Sequence, residues 1–223
     1  MKNACWLLLF VVLPVAAARA ADEAAPKAGE DGWISLFDGQ SLKGWKASEN
    51  PEQWKVEDGK IVAAGPRSHL FYMGDDEAHP PEYKNFIFRT EVMTTRGSNS
   101  GIYFHTRFQP SGFPNTGFEA QVNNTHLDPV KTGSIYHIKK NFKAPAKDNE
   151  WFVEEVIVKG DTITTKVNGQ VISEYTEAAD AKATPEQIEK GVMEKISKGT
   201  FAFQAHDPKS TTYYRNVMVK PLP

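Results

Sequence analysis

The stretch Gly101-Ile102-Tyr103-Phe104-His105-Thr106-Arg107-Phe108 decides the fold. Ile102, Phe104 and Phe108 form one set, and Tyr103, His105 and Arg107 form the other. A repeat of two is that of a β-strand, whose successive side chains point to opposite faces. The pattern recurs further along the chain. In Phe118–Asn123, Phe118, Ala120 and Val122 oppose Glu119, Gln121 and Asn123. In Phe201–His206, Phe201, Phe203 and Ala205 oppose Gln204 and His206. Earlier, Phe86, Phe88 and Val92 alternate with Arg89 and Glu91.

Working outward, Asp58-Gly59 and Asn168-Gly169 each lie between short runs suited to strands, the signature of a hairpin with a type I′ turn. Trp151–Lys159, Thr162–Val167, Gln170–Tyr175 and Tyr213–Lys220 read as further strands. Short strands at this spacing, separated by turn signals, predict an all-β sandwich of two antiparallel sheets. One helix is expected near 185–197. Thr184-Pro185-Glu186-Gln187 supplies a cap, a proline at the first helical position and a glutamine at the third. Ile188, Val192 and Ile196 follow at helical spacing, and Gly199 ends the run. The plain reading of this helix is a surface element packed on the sandwich edge.

The chain has 223 residues, of which 40% are hydrophobic, enough to build one substantial core. Its net charge of -2 leaves no basic excess to meet a phosphate backbone, so no nucleic-acid partner is expected. Lys2, the apolar run Trp6–Ala18 and Ala18-Arg19-Ala20 read as a secretory signal peptide over 1–20, cleaved before Ala21. That run is too short to span a bilayer, and no later segment is apolar for long enough. Residues 21–32 read as a flexible leader and 33–223 as a single domain, secreted or periplasmic. The only cysteine, Cys5, lies in the signal, so no disulfide framework, thiolate metal site or cysteine nucleophile is expected.

One face of each strand in a sandwich enters the core, and the other is free to form a site. The free sets carry Tyr103, His105, Arg107, Glu119, Gln121, Asn123, Gln204 and His206. A solvated strand face ordinarily carries Lys, Glu and Thr. These planar, multi-donor groups instead suit sugar hydroxyls and developing oxyanions. Glu119 is the only carboxylate among them and is the candidate base. His105 and His206 are candidate acids, with a hydrogen-bonded structural role open for each. Arg107 is the candidate holder of an oxyanion, or else an ion-pair partner of Glu119 or Glu91. Gly97–Gly101 reads as a tight polar loop that offers Asn99 and backbone groups to a ligand. The chain has no Gly-x-Ser-x-Gly elbow, phosphate loop, dinucleotide fingerprint or His-Glu-x-x-His. The paired carboxylates of ordinary sandwich glucanases, Glu-x-Asp-x-x-Glu on one strand, are absent too.

Several stretches in order carry a family resemblance. They are Ser35–Trp45, Gly97–Phe104, Gly117–Val122, Thr132–Tyr136, Glu150-Trp151, Lys166–Gln170, Phe203–His206 and Tyr214–Val217. As a set they resemble the 3-keto-disaccharide hydrolase domain family. The resemblance implies a concanavalin-like jelly-roll sandwich, secretion in bacteria, and cleavage of glycosides already oxidised at C3. It implies an oxidised di- or oligosaccharide as ligand, and Asn99, Tyr103, Gln121, Asn123, Tyr136 and Gln204 are the candidate substrate-binding residues. The helical segment 184–198 is longer than the usual connection there. Neither cofactor nor metal is expected, and the oligomeric state is open. A 3-keto sugar has an acidic C2 proton, so one base suffices to start elimination of the C1 substituent. The same polar floor would equally serve a non-catalytic carbohydrate-binding module, or be covered by a partner in a structural domain.

Overall fold

The computed structural model describes residues 27–190 and 195–223. The expected signal peptide and residues 21–26 of the expected leader lie outside the described residues. Residues 27–32 already form a turn, closed by the Gly29 N–H donating to the Trp33 carbonyl.

Thirteen strands follow among the described residues, arranged as two antiparallel sheets. The smaller sheet runs β2 (Trp45–Ala47), β5 (Ser68–Tyr72), β12 (Thr200–Ala205), β7 (Asn99–Thr106) and β8 (Phe118–Asn123). The larger runs β11 (Gln170–Thr176), β10 (Thr162–Val167), β9 (Phe152–Lys159), β6 (Phe86–Thr94), β13 (Thr211–Pro221), β4 (Lys60–Ala64) and β3 (Trp54–Glu57). Its eighth strand, β1 (Ile34–Ser35), pairs with β13. This is the jelly-roll sandwich that the alternation and the resemblance predict. Asp58 and Gly59, like Asn168 and Gly169, have positive φ at both turn positions, as a type I′ turn requires.

The core lies where the apolar sets of the two sheets meet. Phe86, Phe88, Val156, Tyr214 and Val219 of the larger sheet face Ile102, Phe104, Phe118, Phe201 and Phe203 of the smaller. Ring contacts knit the layers: Phe203 stacks on Tyr214 with centroids 3.9 Å apart, and Phe88 meets Phe201 at 4.6 Å. Each such side chain, fully buried, contributes about 1.5–3 kcal/mol through the hydrophobic effect. β13 is interrupted by a bulge between Arg215 and Met218, with Asn216 at positive φ. Glu91 accepts from both Arg215 and Asn216, and the Arg215 guanidinium sits 4.0 Å over Trp151. Tyr214–Val217, one of the resemblance stretches, therefore holds a strand irregularity in place.

The helix is shorter than expected. α1 spans Pro185–Lys190, and Lys195 onward is not helical. The capping box forms as read, with Gln187 N–H donating to Thr184 Oγ1 and Thr184 N–H to Gln187 Oε1. The packed face differs from the expectation: Gln187 is buried and Ile188 is exposed. Val192 lies outside the described residues. Ile196 reaches the core from the segment after the helix.

Candidate active site

Strand register orders the outer face of the smaller sheet into rows. Tyr103 pairs with Ala202 on one side and Glu119 on the other. One row along, His69 pairs with Gln204, and Gly101 pairs with Gln121. The next row pairs Asn99 with Asn123. Glu119 lies across Gly101, so a Cβ built there would stand 2.2 Å from Glu119 Oε1. The face is not open to solvent: every residue of β7, β8 and β12 is buried. Segment 132–136 pairs beside β8, through Gly133 N–H to Gln121 O and Tyr136 N–H to Glu119 O. The 107–117 connection brings Phe113 onto His69 and His206.

What remains is a cleft of about 380 Å³. Seven of the expected residues line it: Asn99, Tyr103, Glu119, Gln121, Tyr136, Gln204 and His206. A hydrogen-bond chain crosses its floor. Gln204 Nε2 donates to Tyr103 Oη at 3.1 Å, and Tyr103 O–H donates to Glu119 Oε2 at 2.9 Å. Burial first, then the Glu119 charge, raises the Tyr103 phenol well above its ordinary value, so it stays a donor. Gln204 Oε1 and Asn99 Oδ1 are buried without hydrogen-bond partners. Both residues line the cleft, and such atoms are costly unless a ligand meets them.

Three expected residues are elsewhere. His105 sits at a bulge: Phe201 pairs with Phe104 and Thr200 with Thr106, which skips His105 at φ 54°. The bulge resets the alternation and turns the imidazole against Phe86 and Phe104. There Nε2 donates to the Lys84 carbonyl and Nδ1 accepts from Ser197 N–H. Burial lowers its pKa, which keeps it neutral. Arg107, beyond the bulge, is exposed and lies 3.6 Å from Glu82, so it holds no oxyanion in the cleft. Asn123 is buried but pins a loop, donating to the Asp128 and Val130 carbonyls and accepting from His126 N–H.

The structure adds residues that strand parity does not mark. Asp128 enters the cleft from the loop after β8, its oxygens accepting from Val130 N–H and Tyr136 O–H. Phe113, Asn115 and His137 also reach it from loops. His69 on β5 lies fully buried beside Tyr103, and neither ring nitrogen has a hydrogen-bond partner. Burial drives its pKa down to about 3. At the rim, His126, His206 and Asp207 bring ligand-type atoms within 4.8 Å of one another. The His126 Nδ1 accepts from Asp128 N–H at 3.1 Å. A neutral His126 therefore carries its proton on Nε2. His206 Nδ1 lies 3.0 Å from Asp207 Oδ2, and His126 Nε2 lies 3.8 Å from the same oxygen.

A jelly roll with a polar, half-enclosed cleft on its smaller sheet is the architecture that lectins and sandwich glucanases also use. Residues 32–220 match the family of 3-keto-alpha-glucoside-1,2-lyase-like domains, and the chain belongs to that family. A 3-keto-disaccharide hydrolase of Bacteroides thetaiotaomicron is 25% identical over 170 residues, which span 65% of this chain and 59% of that relative. A Parabacteroides distasonis crystal structure with a provisional glycosyl hydrolase label superposes with TM-score 0.72 at 23% identity, covering 89% of this chain and 99% of that one. The Bacillus licheniformis β-glucanase shares the fold, with TM-score 0.53 at 9% identity over 86% of this chain and 97% of its own.

Proposed function

We propose that this chain cleaves 3-keto-glycosides by elimination and rehydration. The observation that carries the reading is Glu119: a buried carboxylate held over Gly101 by Tyr103, facing a cleft lined with amides. Glu119 takes the C2 proton, and the electron pair forms an enolate on the 3-keto oxygen. The enolate expels the C1 substituent, whose oxygen takes a proton from the His206 imidazolium. Water then adds at C1 as its proton returns to His206, and Glu119 gives its proton back to C2. The sum is hydrolysis. Arg107 being elsewhere, the enolate falls to amide donors. Asn99 Nδ2 and Gln121 Nε2 make only long contacts, 3.4 and 3.5 Å, and are available for it. The family and the Bacteroides relative support a keto-sugar substrate. Secretion or a periplasmic place follows from the signal reading. No helix among the described residues is long and apolar enough to cross a membrane.

The test is a 3-keto-glucoside or 3-keto-trehalose offered beside its unoxidised parent. Only the keto sugar should be cleaved. Glu119→Gln should lower kcat by about 10²–10⁴-fold, the usual worth of a general base, and leave binding intact. A second reading rests on Asp128, a further carboxylate in the cleft, which with Glu119 would make a conventional two-carboxylate glycosidase. Equal cleavage of the parent sugar would select it. Binding of both sugars with no turnover would make the domain a carbohydrate-binding module.

A further inference from the structure

We infer that Asp207 is a positioning residue that keeps one proton on Nδ1 of His206, so that only Nε2 exchanges protons in the cleft. The inference rests on the elimination–rehydration reading and deepens it. His206 Nδ1 lies 3.0 Å from Asp207 Oδ2. Asp207 is itself fixed: Oδ2 accepts from Ser210 O–H at 2.6 Å and Oδ1 from Lys209 N–H at 2.9 Å. Burial alone would raise this carboxyl, but the hydrogen bonds from Ser210 and His206 outweigh it and hold the group below its ordinary value. A carboxylate in that state only accepts, so the shared proton belongs to His206 Nδ1. Nε2 is then the nitrogen that changes state, on a ring that lines the cleft.

One histidine thereby serves both halves of the cycle. As imidazolium, with Nδ1–H on Asp207, it gives the Nε2 proton to the departing oxygen as the C1–O bond breaks. The neutral ring that remains is already the Nδ1–H tautomer, with its Nε2 lone pair free. It takes a proton from the incoming water as the new C1–O bond forms, which restores the imidazolium. The opposite tautomer would present an N–H to that water and could accept nothing from it.

The charges facing His206 are few. Asp207 comes from its own segment. His126, with its ring 5.5 Å away, comes from the loop after β8 and brings Asp128 and Lys131 beside it. His69 of β5 feels the His206 charge from beneath Phe113. Of these, Asp207 alone meets Nδ1 directly.

The experiment is ¹⁵N NMR of histidine-labelled protein, with His206 assigned by its loss in His206→Gln, run alongside kinetics on a 3-keto-glucoside. Wild type should show His206 as the Nδ1–H tautomer when neutral, and Asp207→Asn should move it towards Nε2–H. In that variant kcat should fall about 10²-fold or more with KM within about threefold. Asp207→Glu should recover most of the loss, and Asp207→Asn should add nothing to His206→Gln. A merely structural Asp207 would move stability and KM but not the tautomer. An unchanged tautomer in Asp207→Asn overturns the inference. So does loss of wild-type activity to a chelator with recovery on adding Zn²⁺ or Mn²⁺, which would make the trio a metal site. If wild type cleaves no keto sugar, the proposed function fails, while the tautomer measurement still decides the role of Asp207.

Discussion

Gly101 leaves a gap in an otherwise filled floor, and the Glu119 side chain occupies it. Its backbone does not need the left-handed region, so alanine is conformationally acceptable there. The obstacle is purely spatial: the new methyl would meet Oε1 at 2.2 Å and Cδ at 2.9 Å. Gly101→Ala should therefore leave the melting temperature near that of wild type and displace the carboxylate. A shift of about 1 Å at a reacting group costs on the order of 10²-fold in rate. Thermal melts beside kcat decide it, and full turnover in Gly101→Ala would show that Glu119 does not act from its place over the glycine.

At the scale of elements, the bulge at His105 divides β7 into a half that bears site residues and a half that bears structure. Two glycines allow it. A Cβ at Gly117 would lie 2.3 Å from the Phe104 carbonyl, and one at Gly199 would lie 2.5 Å from the His105 carbonyl carbon. Both neighbours are backbone and cannot swing aside. Gly199→Ala should cost about 1–3 kcal/mol, as overpacking does, measured by denaturant unfolding. A midpoint equal to that of wild type would mean that the bulge is plastic. The same bulge marks the limit of what the sequence tells. Alternation through Ile102, Tyr103 and Phe104 placed the first half of the strand correctly, and Glu119, Gln121 and Gln204 with it. Nothing in the run Phe104-His105-Thr106 announces an extra residue, because the partner strand that creates the mismatch lies about a hundred positions away. β5 was hidden for another reason. Ser68-His69-Leu70-Phe71-Tyr72 is covered on both faces, so it shows no alternation, and His69 went unread. The loop residues Asp128 and Phe113 reach the cleft only through tertiary closure, which no local period encodes.

For the whole molecule, two buried titratable groups shape stability against pH. Glu154 is fully buried, and burial pushes its carboxyl well above its ordinary value, with the Gly133 amide opposing without offsetting. The folded state thus holds a proton that the unfolded chain releases above its own pKa of about 4.5. That contribution is fully present below this pH and is lost as the pH rises. His69 works the other way. Held neutral down to about 3, it penalises the folded state as the pH falls below about 6.5, where the unfolded chain takes up a proton. Glu154→Gln should raise the melting temperature at pH 8 by more than about 2 °C, the shift that roughly 1 kcal/mol gives in a chain of this size. At pH 4 the two proteins should melt alike. An equal shift at both pH values would mean that packing, not ionisation, sets the effect.

The alternation of the floor strands also has a consequence for descent. Along β7, β8 and β12, neighbouring letters face different surroundings: Ile102, Ala120 and Phe203 pack the core, while Tyr103, Glu119 and Gln204 line the cleft. Changing a ligand-facing letter leaves the interlayer packing untouched, so a lineage can exchange its substrate without refolding. That freedom stops at the bulge. Beyond His105 the outward positions carry surface pairs such as Arg107 with Glu82, out of reach of the cleft. New specificity in this lineage is expected to arise by single replacements at cleft-facing positions of β8, of β12 and of β7 before His105, or by lengthening the loops that bring Phe113 and Asp128 over the floor.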